Sequence, residues 1–220
     1  MKNHPEFFFP LNLSLNQKDK EKIYSILSNF EPNHVRMPNW KSLEEIPYEF
    51  TTIDAFSKIV DITEGRAGLT IFYQDSIQFH PHIDRHRNAT LTNKRLPWRI
   101  NFFLEQRSDS IMHWYDTPKG KENYWTREST LEVSPWMATD DDYHYGEHPI
   151  WYQRNSTFET FPKSIWSVKL NGFNSVLVNT SYIHTVQQPE KGKRLTLSFY
   201  SDGSLYWNDI INLLEKSNFL

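Results

Sequence analysis

The 220-residue chain has no cysteine, which removes disulfide frameworks, thiolate zinc sites, iron–sulfur clusters and a cysteine nucleophile together. Any metal must therefore be held by histidine and carboxylate. Glycine is scarce, at 7 residues, and neither GxGxxG nor GxxxxGK[ST] occurs, which argues against a glycine-rich phosphate cradle. An excess of positive charge is missing too. Lys+Arg number 24 against 27 Asp+Glu, for a net charge of −3, without the basic field that bulk nucleic-acid or anionic-membrane binding would want. No apolar run approaches the roughly 20 residues that span a bilayer, and the segment before Pro10 is too short and too broken by proline for a signal sequence. Repeats and low-complexity tracts are absent. The expectation is a soluble, cytoplasmic protein built as one domain over 1–220, since domains run to roughly 100–200 residues.

Aromatic residues are abundant, with 15 Phe, 11 Tyr and 8 Trp, and such side chains suit pleated, half-buried surfaces. The N-terminal part, 1–65, reads as helical. Ile23, Ile26, Leu27 and Phe30 fall at helical spacing within Gln17 to Phe30, and Ile53, Phe56, Ile59 and Val60 do so within Thr52 to Ile62, with Thr51 or Thr52 as cap. After Gly68 the pattern becomes short β-branched and aromatic runs bounded by turn residues: Leu69–Gln74, Ile77–Asp84, Trp98–Glu105, Ile111–Tyr115, Ser164–Leu170, Ser175–Asn179 and Lys193–Tyr200. A last helix is predicted over Leu205 to Lys216. Runs of strands without intervening helices predict a mainly β sandwich or barrel over 68–200, with flanking helices. A Trp/Tyr/Asp/Pro-rich insertion at about 116–162 has little periodicity and the length of a lid or binding loop.

Nine histidines include His80 and His82, which alternate with Asp84 in one predicted strand and so share a face; His86 continues the same spacing just beyond the strand. A His and a carboxylate two residues apart, with a distant His, form the facial triad that suits non-haem Fe(II), because three coordination positions stay open. Candidates for the distant ligand are His113, His144, His148 and His184. His184 has the company expected of it. A Pro189-Glu190-Lys191-Gly192 turn follows, then a strand in which Arg194, Thr196 and Ser198 share a face, a hairpin signature that would put residues 184 and 194 on adjacent strands. Arginine forks a carboxylate, and a neighbouring hydroxyl adds a further bond.

His82-Ile83-Asp84, then His184, then Arg194-Leu195-Thr196 resembles the HxD…H…RxS/T pattern of the Fe(II)/2-oxoglutarate-dependent dioxygenases. The resemblance covers about 68–200 and implies a double-stranded β-helix, or jelly roll, with packed helices. It implies His82, Asp84 and His184 as iron ligands and Arg194 as anchor for the distal carboxylate of 2-oxoglutarate, with Thr196 or Ser198 assisting. Cofactors would be Fe(II), 2-oxoglutarate and O2, and the products succinate, CO2 and an oxidised substrate. The stretch from Ile71 to Asp84 also resembles the approach strands of prolyl-hydroxylase-like members, in which a tyrosine touches the cosubstrate. Phe79 occupies that position here, and Tyr73 or Asn101 could serve instead. Asp84 stands where halogenating members carry a small residue, so hydroxylation is expected.

The bland reading of His82 and Asp84 is a charge pair on a surface strand, which would give His184 and Arg194 no part in the pattern. The alternative function is a non-catalytic, cupin-like jelly roll that binds a metal or ligand without turnover; His80-Pro81-His82 has the HxH spacing, but position 86 is His and no nearby Glu follows. Arg99 shares a strand face with Asn101 and is the candidate contact for an acidic substrate. The sequence does not name that substrate.

Overall fold

The computed structural model describes residues 4–28, 39–43, 46–75, 97–105, 110–115, 164–187 and 193–220. Strand β1 (Phe8–Pro10), helix α1 (Gln17–Leu27), strand β2 (Asn39–Leu43) and helices α2 (Tyr48–Thr51) and α3 (Asp54–Ile62) come first. Strands β3 (Ala67–Asp75), β4 (Trp98–Glu105), β5 (Ile111–Tyr115), β6 (Trp166–Lys169), β7 (Ser175–Asn179), β8 (Ile183–Gln187) and β9 (Lys193–Ser201) follow, and helix α4 (Trp207–Lys216) closes the chain. Two sheets form, one of six strands in the order β1-β7-β4-β9-β3-β2 and one of three in the order β6-β5-β8, with every pairing antiparallel. From β4 onward the chain crosses repeatedly between the sheets.

Alternation along the strands explains the layering. Leu69 and Ile71 of β3, Trp98, Ile100 and Phe102 of β4, and Leu195, Leu197 and Phe199 of β9 form one core with Ile23, Phe56, Ile59, Ile210 and Leu214 of the helices. Val176 and Val178 of β7 and Phe103 of β4 point the other way, into a second core with Met112, Trp114, Val168 and Val186 of the small sheet. The helices therefore cover one face of the six-stranded sheet and the three-stranded sheet covers the other. Each fully buried Leu, Ile or Phe in these cores contributes about 1.5–3 kcal/mol from removal of apolar surface from water.

Local chemistry fixes the helix starts. Asn16 caps α1 by accepting from the Asp19 amide (2.9 Å) while the Asp19 carboxylate accepts from the Asn16 amide (3.2 Å), a reciprocal capping box. The cap expected at Thr51 or Thr52 is not used. Their hydroxyls bond back to the carbonyls of Tyr48 and Glu49, so α3 starts behind Ile53 without a side-chain cap. The C-terminal helix starts at Trp207 rather than Leu205, whose carbonyl accepts from the Trp98 indole (3.1 Å) and the Ser201 hydroxyl (2.9 Å).

One topological expectation is overturned. His184 and Arg194 do not lie on a paired hairpin: β8 pairs with β5 in the small sheet, whereas β9 pairs with β3 on one edge and β4 on the other. With both edges of β9 taken, no ladder position is left for β8. Strands β1 and β2, and β8 as a strand separate from β7, were not anticipated. The predicted strand Ile77–Asp84 and the insertion at 116–162 lie outside the described residues. Among those described, no helix is long and apolar enough to cross a membrane.

Candidate active site

The inner faces of the two sheets carry the polar residues of interest. On β8, His184 stands opposite Trp114 and Val186 opposite Met112, and the last three belong to the core between the sheets. The pleat therefore turns His184 toward that interior, where it is 4% exposed. Its Nδ1 lies 2.9 Å from the Tyr182 carbonyl oxygen. A carbonyl can only accept, so Nδ1 carries a proton, and in the neutral ring Nε2 has the lone pair. A backbone carbonyl holding the distal ring nitrogen is the arrangement that orients a metal-ligating histidine. His113, one residue before Trp114, is on the opposite face of β5, with Nδ1 2.7 Å from the Ser167 hydroxyl. The pleat thus separates two histidines that the sequence left as rival candidates.

Across from His184, the inner face of the large sheet has a polar strip along β3, β9 and β4. Thr70 stands opposite Ser198 and Phe72 opposite Thr196, while Arg99 stands opposite Tyr200 and Asn101 opposite Ser198. Thr70, Thr196, Ser198 and Asn101 are all buried. Arg99 reaches back across β9, and its Nη1 donates to the Ser198 hydroxyl (3.2 Å) and the Thr70 hydroxyl (3.3 Å). The guanidinium carbon lies 5.3 Å from the Phe72 ring centroid and 5.5 Å from that of Tyr200, within cation–π range. Tyr200 reaches its place only because position 68 is glycine: a Cβ there would overlap the Tyr200 ring. The Asn101 Oδ1 is buried without a hydrogen-bond partner among the described residues.

Two phenols near the interior stay neutral at physiological pH. Burial pushes Tyr115 up to about 12, and burial followed by the Glu6 carboxylate raises Tyr182.

Of the residues that the sequence singles out, the structure brings Arg99, Asn101, Thr196 and Ser198 onto one face and sets His184 on the facing sheet. Arg194 is placed by its backbone, opposite Gln74, and Tyr73 likewise, opposite Leu195; their side chains lie outside the described residues. His80, His82, Asp84, His86, His144 and His148 also lie outside them. Among the described residues no three His, Asp or Glu side chains gather around one point. Sequence reasoning missed Gly68, Thr70, Phe72 and Tyr200 as neighbours of Arg99. Their spacing of two was readable, but nothing in it says that β3 lies beside β9.

By sequence, no protein-family model matches the chain and no curated protein does. Solved structures do match. HygX from Streptomyces hygroscopicus with iron bound is 13% identical, with 92% of this chain and 85% of that one covered and a TM-score of 0.47; HygX is also found with nickel and 2-oxoglutarate bound. A Pseudomonas putida prolyl-4-hydroxylase is 10% identical, with 88% and 91% covered and a TM-score of 0.44. The Fe(II)/α-ketoglutarate-dependent dioxygenase TqaL is 10% identical, with 84% and 74% covered and a TM-score of 0.42. Iron and 2-oxoglutarate recur among these structural neighbours.

Proposed function

We propose that the chain is a non-haem Fe(II)- and 2-oxoglutarate-dependent oxygenase of the double-stranded β-helix type, acting as a hydroxylase. The observation that carries this reading is His184: buried on an inner face, with its Nδ1 proton held by the Tyr182 carbonyl, so that the nitrogen left with a lone pair is the one a metal would take. The donor set fits the metal. His82 and Asp84 would supply an imidazole and a carboxylate at the spacing of the facial triad, His184 would supply the second imidazole, and a chain without cysteine has no thiolate to compete.

When bound, the iron and 2-oxoglutarate supply the oxidising chemistry, with succinate and CO2 as by-products. The chain's own residues would do the rest. Arg194 would pair with the distal carboxylate of 2-oxoglutarate, with the buried Thr196 hydroxyl, two residues along the same strand, adding a hydrogen bond. Trp114, Val186 and Phe103 line the core beside His184 and would keep bulk water away from the ligand nitrogen, which strengthens its interaction with a cation. Asp84, rather than a small residue, would fill the ligand position that halogenation needs vacant.

The test is conversion of 2-oxoglutarate to succinate and CO2 by the purified chain, with and without Fe(II), together with Mn(II) affinity by electron paramagnetic resonance. Turnover should require Fe(II), and His184→Ala should lose both turnover and tight Mn(II) binding. Metal-independent turnover, or Mn(II) affinity unaltered in His184→Ala, would overturn the reading.

A further inference from the structure

We infer that Asn179 and Phe7 are positioning residues for the proposed metal centre: together they fix the Tyr182 carbonyl that holds His184, and so draw the N-terminal segment into the site. The inference rests on the reading above, in which His184 is an iron ligand. The His184 ring is turned by the bond from its Nδ1 to the Tyr182 carbonyl oxygen (2.9 Å). Tyr182 belongs to the three residues, 180–182, that carry the chain from β7 in the large sheet to β8 in the small one. A carbonyl that orients a ligand is only as well aimed as the backbone that carries it, so what grips this connection sets the direction of the imidazole.

Asn179, the last residue of β7, provides one grip. It is 3% exposed and both ends of its side-chain amide are engaged: Nδ2 donates to the Glu6 carbonyl (2.8 Å), and Oδ1 accepts from the Ser181 amide (3.0 Å). The second bond closes an Asx turn, in which a side chain fixes the backbone two residues ahead. The Ser181 hydroxyl adds a longer bond to the Pro97 carbonyl (3.4 Å). The backbone of Asn179 is engaged as well, its amide donating to the Phe7 carbonyl (2.9 Å) and its carbonyl accepting from the Trp114 indole (3.0 Å). Trp114 stands directly opposite His184 on β5. One asparagine thus ties together the N-terminal segment, the connection and the strand beside the ligand. A primary amide carries its donor and its acceptor on separate atoms, whereas leucine would leave both the Glu6 carbonyl and the Ser181 amide without this partner.

Phe7 provides the other grip. Its ring meets the Tyr182 ring edge-on, with centroids 4.9 Å apart at 87°, a favoured aromatic geometry. Phe7 is buried in turn, stacked on His4 at 4.6 Å and on Trp114 at 5.7 Å, so its ring has no room to swing aside. Tyr182 is therefore held at its side chain by Phe7 and through the residue before it by Asn179.

The experiment reads two quantities on the full chain, below the Tm of each variant. One is Mn(II) affinity by electron paramagnetic resonance. The other is the share of His184 in the Nδ1–H form, by nuclear magnetic resonance of the metal-free chain carrying isotope-labelled histidine, at a pH where the ring is neutral and with the signal assigned by its loss in His184→Ala. Asn179→Leu should weaken Mn(II) about tenfold or more, as loss of groups behind a ligating histidine does, and should lower the Nδ1–H share. Asn179→Ser keeps an acceptor for the Ser181 amide and should recover most of both readings while losing the bond to Glu6. Phe7→Leu leaves the Asn179 bonds in place and should lower both readings by a smaller factor; it decides the matter where Asn179→Leu does not fold. Ser175→Ala, at the other end of β7, removes a buried bond to the Leu13 carbonyl (2.6 Å) and should lower Tm with both readings unchanged, which is how a merely structural asparagine would behave. Native readings in folded Asn179→Leu or in Phe7→Leu, no recovery in Asn179→Ser, or a loss in Ser175→Ala as large as in Asn179→Leu would overturn the inference. Mn(II) affinity unaltered in His184→Ala would instead overturn the proposed oxygenase, and the Nδ1–H share, read without metal, would then judge the positioning alone.

Discussion

On its helix-facing side the six-stranded sheet buries Leu69, Ile71, Ile100, Phe102, Leu197 and Phe199; one residue out of step along the same strands, it buries Thr70, Asn101, Thr196 and Ser198 beside Arg99. The pleat is common to both faces and only the side chains differ. Apolar burial stabilises wherever it occurs, whereas each polar group on the inner face must recover by hydrogen bonding what it loses on leaving water. A sheet that places hydroxyls, an amide and a guanidinium where apolar side chains would fit gives up stability there, which is common at sites shaped for binding.

The sharpest contrast comes from truncating one residue on each face. Phe199→Ala, on the helix side, removes a ring packed edge-on against Phe56 at 5.1 Å and Phe102 at 6.0 Å. It should cost about 3–5 kcal/mol in urea denaturation. Ser198→Ala, one residue away and equally buried, loses a single hydrogen bond from Arg99 and should cost only about 1–2 kcal/mol. Equal losses at the two positions would break the comparison.

Next in size is Tyr115, buried in the small sheet and pushed up to about 12. An unfolded tyrosine titrates near 10, so the folded state prefers the neutral phenol. That preference is fully present below pH 10 and is lost as pH rises toward 12, on the order of 2 kcal/mol. Tyr115→Phe should flatten the alkaline arm of a stability-versus-pH curve; an unchanged arm would mean that another group sets it.

Gly68→Ala tests whether the inner face is built around the Arg99 clamp. A Cβ overlapping the Tyr200 ring should cost about 1–3 kcal/mol by overpacking. Thermal denaturation reads the loss, and a Tm equal to that of the native chain would mean that the Tyr200 ring does not need the space at position 68. Asn16→Ala, far from both faces, is the smallest effect and the control. It removes the α1 cap at about 1 kcal/mol and should leave ligand affinity unaffected.

Much of the layering was legible because hydrophobic period is a local property: Leu195, Leu197 and Phe199 alternate with Thr196 and Ser198 whatever surrounds them. Helix ends were less legible. Thr51 and Thr52 have cap chemistry, yet their hydroxyls close the preceding turn, and a propensity cannot say which of two nearby backbones a hydroxyl will choose. The separation of β8 from β9 was not legible, because a turn signal between two apolar runs reads the same whether the strands pair or enter different sheets. Here β3 and β4 occupy both edges of β9.

By itself the sequence determined the alternation of faces, the places of α1, α3 and α4 to within a few residues, and the spacing in which His82, Asp84, His184 and Arg194 resemble the HxD…H…RxS/T pattern. The tertiary structure decided that His184 rather than His113 faces the interior, and that Arg99 finds Thr70, Phe72 and Tyr200 from strands far away in the chain. The physical reason is that periodicity fixes a side chain's face within its own strand, while a neighbour across the ladder is fixed only when strands compete for edges and the cores on both sides close.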